Sequence, residues 1–100
     1  MNEAGDAAQI EAHLRVVWET LLRERQRNLA RCVEGVLAEI IDNARDASGR
    51  VEAAARAWRA LFVNPRGLTD FGIWREDGAE RIRLNTEFDR HLNALHNLLR

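Results

Sequence analysis

An all-α fold is predicted by three features of the 100-residue chain: long stretches with apolar residues at helical spacing, one proline in total, and no convincing strand pattern. The expected form is a compact bundle of about four helices with an ordered loop between the third and fourth. One hundred residues make a single domain, 1–100, with no room for a second core and with residues 1–5 expected to fray.

The first helix is expected to open on Asp6, with Gln9 three residues later completing a capping box. Ile10, Leu14, Val17, Trp18, Leu21 and Leu22 form its apolar stripe. Leu29, Cys32, Val33, Val36, Leu37, Ile40, Ile41 and Ala44 define the second helix in the same way. The Arg23–Asn28 segment between them has neither Gly nor Pro. An unbroken helix over residues 7–47 would be roughly 60 Å long, against a radius of gyration of about 13 Å for a compact domain of this size. A monomer therefore requires a break near Gln26–Asn28, with Asn28 as cap, whereas an unbroken helix implies a homodimer.

Ser48-Gly49 is predicted to end the second helix and start the third, with Gly49 in the left-handed position. Val51, Ala54, Ala55, Trp58, Leu61 and Phe62 form the third stripe. Asn64-Pro65-Arg66-Gly67 fits a type I turn. Thr69 is a candidate cap for one short turn over Phe71–Trp74, and Asp77 with Glu80 forms a second capping box. The fourth helix then presents Ile82, Leu84, Phe88, Leu92, Leu95, Leu98 and Leu99 to the core.

Composition excludes several functional classes. The net charge of −1 gives no global field toward nucleic acid or an anionic membrane. The longest apolar run, Ala60–Val63, is far too short to span a bilayer, and the N-terminus lacks a signal-peptide pattern. The single cysteine rules out an intrachain disulfide, so the cytoplasm is the expected compartment. All 15 basic residues are Arg, which fits a GC-rich bacterial genome.

No catalytic constellation can be assembled, so no enzyme activity, cofactor or metal site is expected. His13, His91 and His96 lack chelating spacing, and Cys32 sits on an apolar face where a buried, inert thiol is expected. Asp70-Phe71-Gly72 matches a kinase metal-binding tripeptide by coincidence, because the remaining kinase signature is missing. Asp70 instead suits a turn in which its carboxylate accepts from backbone N–H groups.

Two charge stripes and one loop remain. Arg23, Arg27 and Arg31 recur every four residues and would serve a nucleic-acid-binding alternative. Glu39, Asp42 and Asp46 form an acidic ridge if they share the second helix. Acid-before-base pairs at i, i+4 favour solvated faces: Glu11–Arg15, Glu19–Arg23, Asp46–Arg50, Glu52–Arg56 and Asp77–Arg81. The 63–78 loop carries Leu68, Phe71, Ile73 and Trp74, too many large apolar groups for a free linker. Leu68 and Phe71 are expected to pack inward, Asn85 to tie the loop to the fourth helix, and Trp74 or Arg75 to stay exposed as a contact.

The expected function is therefore a non-catalytic module that binds another protein through Trp74, Arg75, Glu39, Asp42 and Asp46. A small-ligand or enzymatic pocket under the 63–78 loop is the further alternative. In size and composition the chain resembles the small all-helical bacterial accessory proteins, such as immunity proteins and adaptors. That likeness carries over no residue roles.

Overall fold

The computed structural model describes residues 3–63, 67, 68 and 70–100. It is an all-α bundle of four helices, α1 (Glu3–Arg23), α2 (Arg27–Ile40), α3 (Ala47–Leu61) and α4 (Gly78–Leu98), with no strand among the described residues. None of these helices is long and apolar enough to cross a membrane. Helix α1 is central and packs against the other three, while α2 also packs on α3.

The α1 stripe explains that position. Ile10, Leu14, Val17 and Leu21 recur every three or four residues and are fully buried. Each contributes about 1.5–3 kcal/mol by leaving water. Ala30, Val33, Val36, Leu37 and Ile40 of α2 face them, with Ala54, Ala55 and Trp58 of α3 and Phe88, Leu92, Leu95 and Leu99 from α4 and its C-cap. Four expected core residues lie outside this cluster: Leu22, Ile41, Ala44 and Ile82 are exposed. Leu22 and Ile41 stand at helix ends where the stripe turns away, Ala44 follows the end of α2, and Ile82 precedes the burying phase set by Phe88. Cys32 is likewise exposed, contrary to the buried thiol expected, because Val33 and Val36 set the inward phase of α2.

The predicted break between α1 and α2 is present, but Asn28 does not cap it. Arg25 adopts a left-handed φ of 62°. Its N–H donates to Leu22 O (3.1 Å) and the Gln26 N–H to Leu21 O (2.8 Å). This pair of bonds is a Schellman motif with arginine where glycine is usual. Gln26 is the N-cap of α2, and Asn28 lies inside the helix.

The other ends also differ from expectation. Helix α1 begins at Glu3, so Glu3–Gly5 are helical and Asp6 sits inside the helix instead of opening it; residues 1 and 2 lie outside the described residues. Helix α2 stops at Ile40, and the 41–46 connection is built by its own aspartates. Asp42 Oδ1 accepts from Ala44 N–H at 3.0 Å, and Asp46 is the N-cap of α3, accepting from Gly49 N–H at 2.8 Å. Gly49 is therefore helical rather than left-handed. A Cβ there would stand 3.1 Å from the capping oxygen. Asp77 takes the N-cap position of α4 without a side-chain bond, so the second capping box does not close.

Candidate functional site

Between α3 and α4, Phe71–Arg75 has no regular secondary structure, so the short helical turn expected at Phe71–Trp74 is absent. The expected Asn64–Arg66 turn and the Thr69 cap lie outside the described residues. Leu68 is buried and Phe71 packs edge-on against Phe88, ring centroids 5.4 Å apart. Exposure then alternates along residues 73–75. Ile73 is buried, Trp74 is 69% exposed, and Arg75 is half-buried.

Both neighbours of Trp74 are pinned. Asn85 Oδ1 accepts from Ile73 N–H at 2.8 Å, and Asn85 Nδ2 donates to Ile73 O at 2.9 Å, the tie expected from sequence. Arg75 forks onto Glu24 at the end of α1, Nη1 to Oε1 at 2.9 Å and Nη2 to Oε2 at 2.8 Å. Arg81 Nη1 donates to Arg75 O at 3.0 Å, and its guanidinium lies over the Trp74 ring, 4.6 Å from the centroid. The indole is thus exposed on a segment held from three sides.

The Arg75 guanidinium on Glu24, reinforced by Arg23 at 3.0 Å, lowers the Glu24 carboxyl from 4.5 to about 2. The unfolded chain binds this proton first, so the pair's contribution is present above pH 4.5 and is lost as pH falls toward about 2. Glu24→Gln is expected to cost about 1–2 kcal/mol at neutral pH, after allowing for screening near the surface. It should also flatten the stability profile in that acid window. Urea midpoints measured across pH check both effects; an unchanged acid limb would show that the fork holds no stability.

The structure also joins two histidines 78 positions apart. His13 Nδ1 and His91 Nδ1 are 2.9 Å apart across the α1–α4 seam, so one ring donates and the other accepts. Burial, then the charge of Arg90 and the nearness of His13, lowers the His91 pKa, while Glu87 opposes them. The folded state holds His91 neutral more strongly than the unfolded chain does, so stability held above pH 6.5 is lost as pH falls below it. No sequence spacing signals this pair, because only the antiparallel packing of α1 and α4 creates it. His96 has a separate partner, accepting at Nδ1 from Trp58 Nε1 at 3.2 Å.

Beside the pair lies a cavity of about 330 Å³ between α1 and α4. Ile73 from the loop forms part of its wall, with Val16, Leu84 and Phe88 supplying apolar surface and Glu19, Glu87 and His91 polar groups. Among the described residues, no group of three His, Cys, Asp or Glu side chains stands close enough to hold a metal ion.

Neither expected charge stripe forms. Glu39 pairs with Arg45, while Asp42 and Asp46 are turned onto backbone N–H groups off the end of α2, so the acidic ridge does not exist as one helical face. The break at Arg25 places Arg23 on α1, held by Glu24, and Arg27 and Arg31 on α2. Of the i, i+4 pairs, Glu11–Arg15 and Glu52–Arg56 form, whereas Arg23 turns to Glu24 instead of Glu19. The Arg50 Nε is buried without a hydrogen-bond partner rather than paired with Asp46, and Arg81 is committed to Trp74 and Arg75 O rather than to Asp77.

No family model matches the chain, and neither the curated proteins nor the solved structures contain a match.

Proposed function

We propose that this chain is a non-catalytic protein-binding module of the bacterial cytoplasm, of the immunity, antitoxin or adaptor kind, which acts by covering a partner's working surface. The observation that carries this reading is Trp74, 69% exposed between two residues that the fold pins in place. An exposed indole on a fixed backbone offers a large apolar contact with little conformational entropy left to lose on binding. Trp and Arg are the residue types that dominate binding energy at interfaces. Here Arg81 braces one face of the ring.

Affinity capture from the native host, run with wild type and Trp74→Ala in parallel, tests the proposal. A partner held by wild type is expected to bind Trp74→Ala more weakly by about 2 kcal/mol, roughly thirtyfold. The circular dichroism and unfolding midpoint of the variant should stay close to wild type, because so little of the ring is covered. A partner retained equally by Trp74→Ala, or a parallel loss of stability and binding, would remove Trp74 as the anchor.

A further inference from the structure

We propose that His13 and His91 form a proton-operated latch on the α1–α4 seam, closed while both rings are neutral and opened by the first proton the pair takes up. The contacts fix which nitrogen carries each resident proton. Arg90 Nη2 stands 3.5 Å from His91 Nε2. A guanidinium keeps its charge and only donates, so the nitrogen facing it is the one with the lone pair. His91 then carries its proton on Nδ1 and donates across the 2.9 Å gap to His13 Nδ1. That leaves the His13 proton on Nε2. Both lone pairs are thus engaged, one by Arg90 and one by His91.

No added proton fits this arrangement. On His13 Nδ1 it sets N–H against N–H, and on His91 Nε2 it faces the guanidinium. Two imidazoles can otherwise share one proton, but here His91 would have to move its own proton to Nε2, where Arg90 stands. The remaining charges do not offset this. Glu87, one turn before His91, favours the imidazolium but is outweighed by burial and Arg90. On α1, Glu11 and Arg15 are paired with each other, and Glu19 and Arg23 line the cavity beside His91 with opposite charges. The 63–78 loop adds Ile73, which is neutral, to that lining.

The fold lets this seam open by itself. Among the helices, α4 packs on α1, and its link to α3 runs through His96, against Trp58 and Phe62 near the C-terminal end. The cavity of about 330 Å³ gives a displaced His91 ring space that a close-packed interior lacks. Opening therefore centres on the α4 turns around His91 and leaves the packing of α1, α2 and α3 in place.

Ring ¹⁵N shifts and native-state hydrogen exchange of the intact chain test the latch. At about pH 7.5, above the ordinary histidine value, the shifts should report the Nδ1–H form for His91 and the Nε2–H form for His13. Between about pH 7.5 and 5.5 the protection of the Phe88 and Leu92 amides, corrected for intrinsic rate, should fall roughly three- to tenfold, the worth of one hydrogen bond. Their exchange should depend only weakly on urea, as in a local opening, while Val36 and Ala54 keep the steep slope of global unfolding. His13→Asn places an oxygen acceptor where Nδ1 stood, and Arg90→Gln removes the charge that blocks a shared proton. Each should bring the acid loss at Phe88 and Leu92 below about twofold. The latch is overturned if His91 is the Nε2–H form, or if the two α4 amides show no acid loss. A urea slope there equal to that of Val36, or an unchanged acid loss in both variants, overturns it equally.

Discussion

Replacing Trp58 with alanine is expected to destabilise the protein by about 3–5 kcal/mol, the range for removing a large aromatic side chain from a core. Trp58 is 2% exposed and stands edge-on to Phe62 and His96, with ring centroids 5.0 and 5.2 Å away. Its indole N–H donates to His96 Nδ1, so the one polar atom it buries is satisfied. Alanine leaves a void under three helices that close-packed neighbours fill only in part. Trp58→Phe should lose less, because it keeps much of the volume and gives up the hydrogen bond. Arg56→Ala on the exposed face of the same helix should shift stability by less than about 0.5 kcal/mol. Urea unfolding of the three variants decides the matter. An unchanged midpoint for Trp58→Ala would mean that α3 does not bury this face.

The fold was legible because periodicity carries information about burial, and burial organises a bundle. Ile10, Leu14, Val17 and Leu21 mark the inward face of α1 at helical spacing, and Trp58 does so for α3 with Ala54 and Ala55. Helix ends were less legible, since several different chemistries can stop a helix. Arg25 takes the left-handed position usually given to glycine, which costs about 1–2 kcal/mol locally and leaves no compositional mark. Asp42 and Asp46 have the helical spacing of an acidic face, yet they serve as backbone acceptors in a connection. At the site, the exposed Trp74 and the Asn85 tie could be read from residue type and position. The Arg75–Glu24 fork joins residues 51 apart, and the His13–His91 pair and the cavity beside it depend on helix packing, so no local pattern encodes them.

Asn85→Ala is expected to cost about 2–4 kcal/mol and to release the segment that carries Trp74. The asparagine amide makes three bonds at once: it accepts from Ile73 N–H, and donates to Ile73 O and to Arg81 O. Ile73 is 3% exposed, so alanine leaves a buried N–H and C=O with no partner, each worth roughly 1–3 kcal/mol in lost desolvation compensation. Asn85→Asp is not a conservative replacement. It keeps the acceptor for Ile73 N–H but turns a second oxygen toward the Ile73 and Arg81 carbonyls, replacing two attractive contacts with repulsive ones. Both variants should therefore lower the urea midpoint, and both should remove the hydrogen-exchange protection of the Ile73 amide. Partner affinity should fall as well, although Asn85 need not touch the partner, because Trp74 would have to be ordered during binding instead of beforehand. The readout that separates this from simple destabilisation is local. Amides in the middle of α2, away from the loop, should lose protection only in step with global stability, while Ile73 loses more. An Asn85→Ala protein with a protected Ile73 amide and an unchanged midpoint would show that the loop is held by burial of Leu68 and Phe71 alone, and that the polar clamp contributes nothing to presenting the indole.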